Sequence, residues 1–96
     1  MTDMTETPLN IRPTDERAIE RIDAAIAELG LLTTMKGTLK SFPGCTHWHC
    51  KLGTQPGTLE ITLWPVKQRA WFKVQSARRA DWIVEVIPKL KRLLES

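Results

Sequence analysis

Four side chains that can bind metal ions lie close together in the middle of the sequence: Cys45, His47, His49 and Cys50. Polarity alternates along this segment, which predicts a β-strand whose successive side chains point to opposite faces. His47 and His49 would then lie side by side, and Glu60 or Cys45 would be the third ligand of a metal site. The spacing matches no structural zinc module, so no cofactor is predicted. The alternative is a histidine pair that is hydrogen-bonded to the next strand without a metal.

No motif in the sequence predicts catalysis. A glycine-rich phosphate loop and a nucleophile elbow are both absent, and no two carboxylates share the predicted sheet. Cys45 and His47 have the chemistry of a nucleophile and a base. On an open sheet, however, nothing would exclude water or form an oxyanion hole around them. The protein is therefore expected not to be an enzyme, and no catalytic residue is assigned.

Alternation of apolar and polar residues is strict in segments 58–64 and 69–76, and it also occurs in 45–52 and, more weakly, in 35–42. Such period-two alternation is typical of half-buried strands. The link 65–68 has the length of a four-residue hairpin loop and sets the register of the strands beside it. The predicted cross-strand pairs are Trp64 with Arg69, Thr62 with Trp71, Glu60 with Lys73, His49 with Glu60, and His47 with Thr62.

The alternation sorts the side chains of these strands onto two faces. The apolar face is predicted to pack against helices and consists of Met35, Leu39, Trp48, Cys50, Leu52, Leu59, Ile61, Leu63, Phe72 and Val74. The polar face is predicted to be exposed or at an interface and includes Lys36, Thr38, Lys40, Phe42, His47, His49, Lys51, Thr58, Glu60, Thr62, Trp64, Arg69, Trp71 and Lys73. Exposed indoles among cations are unfavourable unless a partner covers them. The polar face is therefore the predicted binding surface.

The predicted function is non-catalytic binding of single-stranded nucleic acid, or of another polyanion, by the polar face. Tryptophan rings can stack on bases while cations contact phosphates. One alternative is a protein–protein interface or a homodimer through the same face, because tryptophan and arginine are enriched at interfaces. Another is that the N-terminal tail covers the tryptophans. The predicted nucleic-acid-binding or partner-binding residues are Lys40, His47, His49, Lys51, Trp64, Arg69, Trp71, Lys73, Arg78 and Arg79.

Helical spacing of apolar residues predicts one helix before the strands and one after them. The first begins after Pro13 and ends at Gly30. The second follows Ser76, and a kink or break is expected at Pro88, which lacks a backbone N–H. The predicted fold class is therefore α+β: helix, four-stranded antiparallel β-meander, helix. Both helices are expected to pack on one face of the sheet.

Two arginines, Arg78 and Arg79, lie where the second helix is predicted to begin. A helix N-terminus beside two guanidinium groups is suited to a phosphate or a carboxylate. The order helix–three strands–helix is similar to the topology of double-stranded RNA-binding domains. Only these two arginines match the basic cluster that those domains carry at their second helix, and their RNA surface is not the open sheet face. No function is transferred from this similarity.

Charge is distributed unevenly along the chain. Residues 1–34 carry three arginines against seven acidic residues, whereas residues 35–96 carry eleven Lys and Arg against four acidic residues. The basic part suggests an anionic partner. Residues 1–12 are predicted to be a disordered tail and residues 13–96 a single domain. The polar N-terminus does not resemble a signal peptide, and no membrane span is predicted, so the expected location is cytoplasmic.

Overall fold

The computed structural model describes residues 4–75 and 80–95 and shows an α+β fold with a five-stranded antiparallel sheet and two helices. In chain order the elements are β1 (Met4–Pro8), α1 (Ala18–Glu28), β2 (Leu32–Gly37), β3 (Thr46–Lys51), β4 (Leu59–Trp64), β5 (Arg69–Gln75) and α2 (Asp81–Glu95). The strands are arranged in the order β1-β5-β4-β3-β2. No helix within the two described ranges is long and apolar enough to cross a membrane.

Strands β3, β4 and β5 pair in the register that the sequence predicts. A short 3₁₀ helix, Pro65–Lys67, links β4 to β5, and the Gln68 N–H closes the turn on the Pro65 carbonyl at 3.0 Å. Because paired residues of neighbouring strands share a face, this register decides which side chains meet. All five predicted pairs are observed: Trp64–Arg69, Thr62–Trp71, Glu60–Lys73, His49–Glu60 and His47–Thr62.

Strand β2 differs from its prediction in position and in the faces of its side chains. It ends at Gly37, and its register with β3 shifts between Thr33 and Met35. This β-bulge inserts one residue and so reverses the faces of the residues that follow it. Met35 lies opposite His49 and therefore on the polar face, so its predicted place on the apolar face is wrong.

The same bulge moves Lys36 away from the polar face, where the sequence predicts it. Lys36 lies opposite Trp48, and its ammonium nitrogen is 5.7 Å from the centre of that indole ring. It also forms a 2.7 Å ion pair with Asp23 of α1. Asp23 in turn accepts a 2.9 Å hydrogen bond from Trp48 Nε1. Lys36 is thus held on the helix side of the sheet.

The segment expected to be a disordered tail contains strand β1, Met4–Pro8, which pairs with β5 at one edge of the sheet. The chain after β1 is also held: the Leu9 N–H donates to the Ala70 carbonyl at 3.0 Å, and the Asn10 N–H donates to Glu95 Oε2 at 2.8 Å. A polar edge strand is stabilised by backbone hydrogen bonds, so it need not show apolar alternation. The predicted four-stranded meander therefore becomes a five-stranded sheet.

The apolar side chains of the sheet and of both helices form one hydrophobic cluster. Trp48, Ile61 and Phe72 are the fully buried centre of the sheet's contribution. The helices contribute Ala18, Ile22, Ala25, Ile26, Trp82, Ile83, Val86, Leu90 and Leu94. Because these side chains extend from the apolar face, the opposite face is left for polar groups.

The helix ends agree with the sequence only in part. α1 begins at Ala18, later than the position after Pro13 that the sequence predicts. Gly30 follows α1 as predicted, with a left-handed φ of 72° and its N–H bonded to the Ala27 carbonyl at 3.0 Å. α2 is one helix through Pro88 rather than two short ones.

The loop between β2 and β3 covers one end of the polar face. The Phe42 ring lies edge-on to Trp64 at 4.7 Å and to Trp71 at 5.5 Å between ring centres. Trp64 Nε1 donates a 2.9 Å hydrogen bond to the Pro43 carbonyl. Trp71 is consequently only 5% exposed, and Thr62 is also buried. The predicted exposure of these two side chains is therefore wrong within the monomer.

Candidate metal centre

Three side chains that can ligate a metal ion, His47, His49 and Glu60, converge on the polar face beside the part that the loop covers. We call them the His–His–Glu cluster. The Nε2 atoms of the two histidines are 3.1 Å apart, and Glu60 Oε1 lies 3.3 Å from His47 Nε2 and 3.8 Å from His49 Nε2. The sequence predicts the histidine pair and offers Glu60 as one of two third ligands. The structure brings Glu60 to the pair.

The pleat of β3 and its pairing with β4 position the cluster. His47 and His49 are two residues apart on one strand, so both point to the same face. Glu60 lies directly opposite His49, and Thr62 lies directly opposite His47. Since the strands are regular here, the three ligating atoms meet without any loop residue.

Thr62 orients the imidazole of His47. Its Oγ1 is 2.7 Å from His47 Nδ1, and both side chains are buried. When Nδ1 carries the proton, it donates to Thr62 and leaves a lone pair on Nε2, which faces His49 and Glu60. Metal-binding histidines are commonly oriented through the second ring nitrogen in this way. In the metal-free protein, the hydrogen bond to the Glu60 carboxylate needs a proton on Nε2; a metal ion would take the place of that proton while Thr62 keeps Nδ1 bonded.

The three ligating atoms are spaced as the ligands of one metal ion would be. A circle through points separated by 3.1, 3.3 and 3.8 Å has a radius of about 2.0 Å, and Zn–N and Zn–O bonds measure about 2.0–2.2 Å. An ion near the centre of this circle would be at bonding distance from all three atoms. Three protein ligands leave at least one coordination position for a ligand from solution.

Burial differs among the three ligands and gives the cluster one accessible side. The side chains of His47 and Glu60 are 3% and 8% exposed, whereas His49 is 26% exposed. His49 also neighbours Met35 on β2, the outermost strand at this edge. A ligand from solution would therefore reach the cluster over His49.

The pKa of the Glu60 carboxyl lies below its ordinary value of 4.5. Its hydrogen bond with His47 is the largest cause, burial opposes the shift, and the charges of His49 and Lys73 act in the same direction as the hydrogen bond. A lowered pKa keeps Glu60 ionised near neutral pH, which is the form that binds a metal ion.

This lowered pKa predicts a pH-dependent loss of stability. Because the folded protein holds Glu60 ionised more strongly than the unfolded chain, its contribution is fully present above pH 4.5 and is lost as the pH falls through the folded pKa. Glu60→Gln should flatten this part of the pH profile, measured by urea unfolding of the metal-free protein. Val84→Ala, on an exposed side chain of α2, changes no ionisable group and is the control that should keep the wild-type slope. Equal slopes for wild type and Glu60→Gln would contradict the assignment.

The two cysteines lie outside the His–His–Glu cluster. Cys45 is buried, and its Sγ accepts a 3.4 Å hydrogen bond from the Leu39 N–H beneath the β2–β3 loop. Cys50 is buried on the apolar face, where burial raises the pKa of its thiol to about 12. The structure therefore favours Glu60 over Cys45 as the third ligand.

The other predicted site residues are placed as follows. Trp71 is buried, and the Arg69 guanidinium lies 4.6 Å from the centre of its ring. Trp64 is half-buried beside it. Lys40 is exposed in the β2–β3 loop, Lys51 and Lys73 are half-buried on the polar face, and Arg78 and Arg79 lie outside the described residues. Phe42 is assigned to the polar face by alternation, but no sequence signal indicates that it covers the two tryptophans.

No protein-family model matches the chain, and no significant match was found among curated proteins or solved structures. Function must therefore be inferred from the chemistry of the His–His–Glu cluster and of the polar face.

Proposed function

We propose that the protein binds a divalent transition-metal ion, with zinc the best fit, at the His–His–Glu cluster. The observation that carries the proposal is the triangle formed by His47 Nε2, His49 Nε2 and Glu60 Oε1, whose circle has the radius of a zinc–ligand bond. The orientation of His47 by Thr62 supports it, because the second ring nitrogen is already bonded.

The ligand set favours zinc and its neighbours in the first transition series over other cations. Imidazole suits zinc, copper, nickel and iron, whereas calcium and magnesium prefer sets composed of oxygen atoms. Two neutral imidazoles and one carboxylate leave a divalent ion with a net positive charge. The coordination position that the protein leaves open would also allow the bound metal ion to take a ligand from solution.

Metal titration tests the proposal directly. Isothermal titration of the reduced protein at neutral pH should show one zinc ion per chain, and zinc at about 100 times its dissociation constant should stabilise the fold by about 2.7 kcal/mol. His47→Ala combined with His49→Ala should abolish both effects. Thr62→Val, which keeps the shape but loses the hydroxyl, should lower the affinity about 10–100-fold.

Two controls separate this site from other sources of zinc binding. Replacement of Cys45 and Cys50 by alanine should leave the zinc stoichiometry unchanged, because neither thiol belongs to the cluster. Thr62→Ser should retain most of the affinity, because it keeps the hydroxyl that orients His47. Unchanged zinc binding in the double histidine variant would overturn the proposal, as would a complete lack of binding in the wild type.

Polyanion binding and a partner or homodimer interface on the polar face stay predictions. The accessible part of the face still carries Arg69, Lys51 and Lys73. The structure gives base stacking less support, because Trp71 is buried beneath Phe42.

A further inference from the structure

We propose that the metal centre and Lys73 together bind a small oxyanion of the carboxylate or phosphate class, and that this binding depends on the metal. The inference rests on the proposed metal site and names the ligand of its open coordination position. It follows from the order of the side chains that lie beside the His–His–Glu cluster.

One row of side chains crosses the polar face at right angles to the strands. Cross-strand pairing places its members in the order Met35, His49, Glu60, Lys73 and Glu6, from β2 to β1. Neighbouring strands are about 4.8 Å apart, and directly opposed side chains have Cβ atoms about 4.5–5.5 Å apart. Lys73 is thus the neighbour of Glu60 on the next strand, and its charge acts on that carboxylate, so a small anion bound to an ion in the cluster would lie within reach of a lysine side chain there.

The adjacent row of side chains on the polar face leaves the row that contains His49 and Lys73 accessible to ligands from solution. It consists of Gly37, His47, Thr62, Trp71 and Pro8, and the β2–β3 loop lies over its aromatic end through Phe42. Gly37 has no side chain, so nothing from β2 stands over His47 in that row. The open coordination position is thus approached along the row of His49 and Lys73.

Metal binding changes the electrostatic balance around Lys73. Without a metal, the Glu60 carboxylate faces Lys73 across the strand pair, and Glu6 faces it from β1. With a divalent ion bound, the charge of Glu60 is shared with that ion, and the group formed by the ion, Glu60 and Lys73 has a net positive charge. An oxyanion is then attracted to the metal and to Lys73 at once. Metal and oxyanion should consequently increase each other's affinity.

Visible absorption of the cobalt-loaded protein tests this inference, because the d–d bands of Co²⁺ respond to a new ligand. Acetate and inorganic phosphate are the two probes, and chloride at matched ionic strength is the control. At least one of the two oxyanions should shift the bands in a saturable manner. The oxyanion that binds more tightly shows whether the site prefers a carboxylate or a phosphate. The same anion should show no binding to the metal-free protein by calorimetry.

Lys73→Met is the decisive variant. It should bind cobalt at least as tightly as the wild type, because a competing cation is removed, but its oxyanion affinity should fall about tenfold or more. Lys67→Met, in the exposed turn between β4 and β5, is the matched control and should behave as the wild type. Cobalt binding without any oxyanion effect, or with equal oxyanion affinity in Lys73→Met, would overturn this inference alone. Failure to bind cobalt would overturn it together with the proposed function.

Discussion

Replacement of Trp71 by alanine is expected to lower the free energy of unfolding by about 3–5 kcal/mol, the usual cost of removing a buried aromatic side chain. Although Trp71 belongs to the polar face, its ring packs against Phe42 and Trp64 and lies beneath the Arg69 guanidinium. Its removal would leave a cavity beneath Phe42, while the β2–β3 loop would keep its contacts with Trp64. Urea unfolding followed by circular dichroism measures the loss without relying on tryptophan emission.

The neighbouring Arg69 provides the control for this prediction. Arg69→Ala removes a cation from the same ring but no buried volume, so the expected loss is about 0.5–1 kcal/mol. If both variants lose the same small amount, Trp71 is not packed and the polar face is open, as the sequence alone predicts. Loss of nucleic-acid binding in Trp71→Ala would need this stability measurement before it could be attributed to stacking.

Replacement of Ile61 by alanine is expected to lower the free energy of unfolding by about 2–5 kcal/mol. Ile61 is fully buried in the middle of β4, between Trp48 on β3 and Phe72 on β5. The sheet cannot close around the missing atoms, because those two large neighbours are themselves fully buried in the same hydrophobic cluster. Chemical denaturation should show the loss as a lower midpoint with an unchanged slope.

Two further variants give smaller expected losses of stability with which the Ile61→Ala result can be compared. Ile61→Val removes one methylene group and should cost about 0.5–1.5 kcal/mol. Val84→Ala, on the exposed side of α2, should change stability by no more than about 0.5 kcal/mol. Similar losses at Ile61 and Val84 would show that the apolar face of the sheet does not carry the core.

The central part of the fold could be predicted because local and long-range signals agree there. Leu59, Ile61 and Leu63 alternate with polar residues, and the short link after Trp64 permits only a few hairpin registers. The cross-strand partners of His47 and His49 follow from the simplest register through the loop 53–57, which returns the chain from β3 to β4. This is why Glu60 and Thr62 could be named beside the histidines before their side chains were seen.

The rest of the sheet could not be predicted, because its determinants are not periodic. The bulge before Met35 reverses the faces of β2, and the ion pair of Lys36 with Asp23 depends on where α1 lies. Strand β1 carries polar residues and is recognised by its backbone pairing with β5, which sequence alternation does not encode. The convergence of the His47, His49 and Glu60 side chains depends on their side-chain torsion angles, which likewise leave no periodic signal in the sequence.

The candidate site was predictable in its composition but not in its surroundings. Two imidazoles on one strand face and a carboxylate opposite them follow from the alternation and the register. The burial of His47 and Thr62 does not follow, because it depends on the fold of the β2–β3 loop over Trp71. That cover makes part of the polar face an internal surface, on which the indole of Trp71 is packed within the monomer.

The pairing of β1 with β5 has a consequence for synthesis on the ribosome. β1 leaves the exit tunnel first, yet its partner strand is made only after all the other strands of the sheet. The carbonyl of Pro8 and the N–H of Asn10 bond to Lys91 and Glu95 of α2, which emerge later still. Strand β1 therefore has to remain unpaired until β5 has emerged. Until then, the backbone of β1 is available for pairing with other nascent chains.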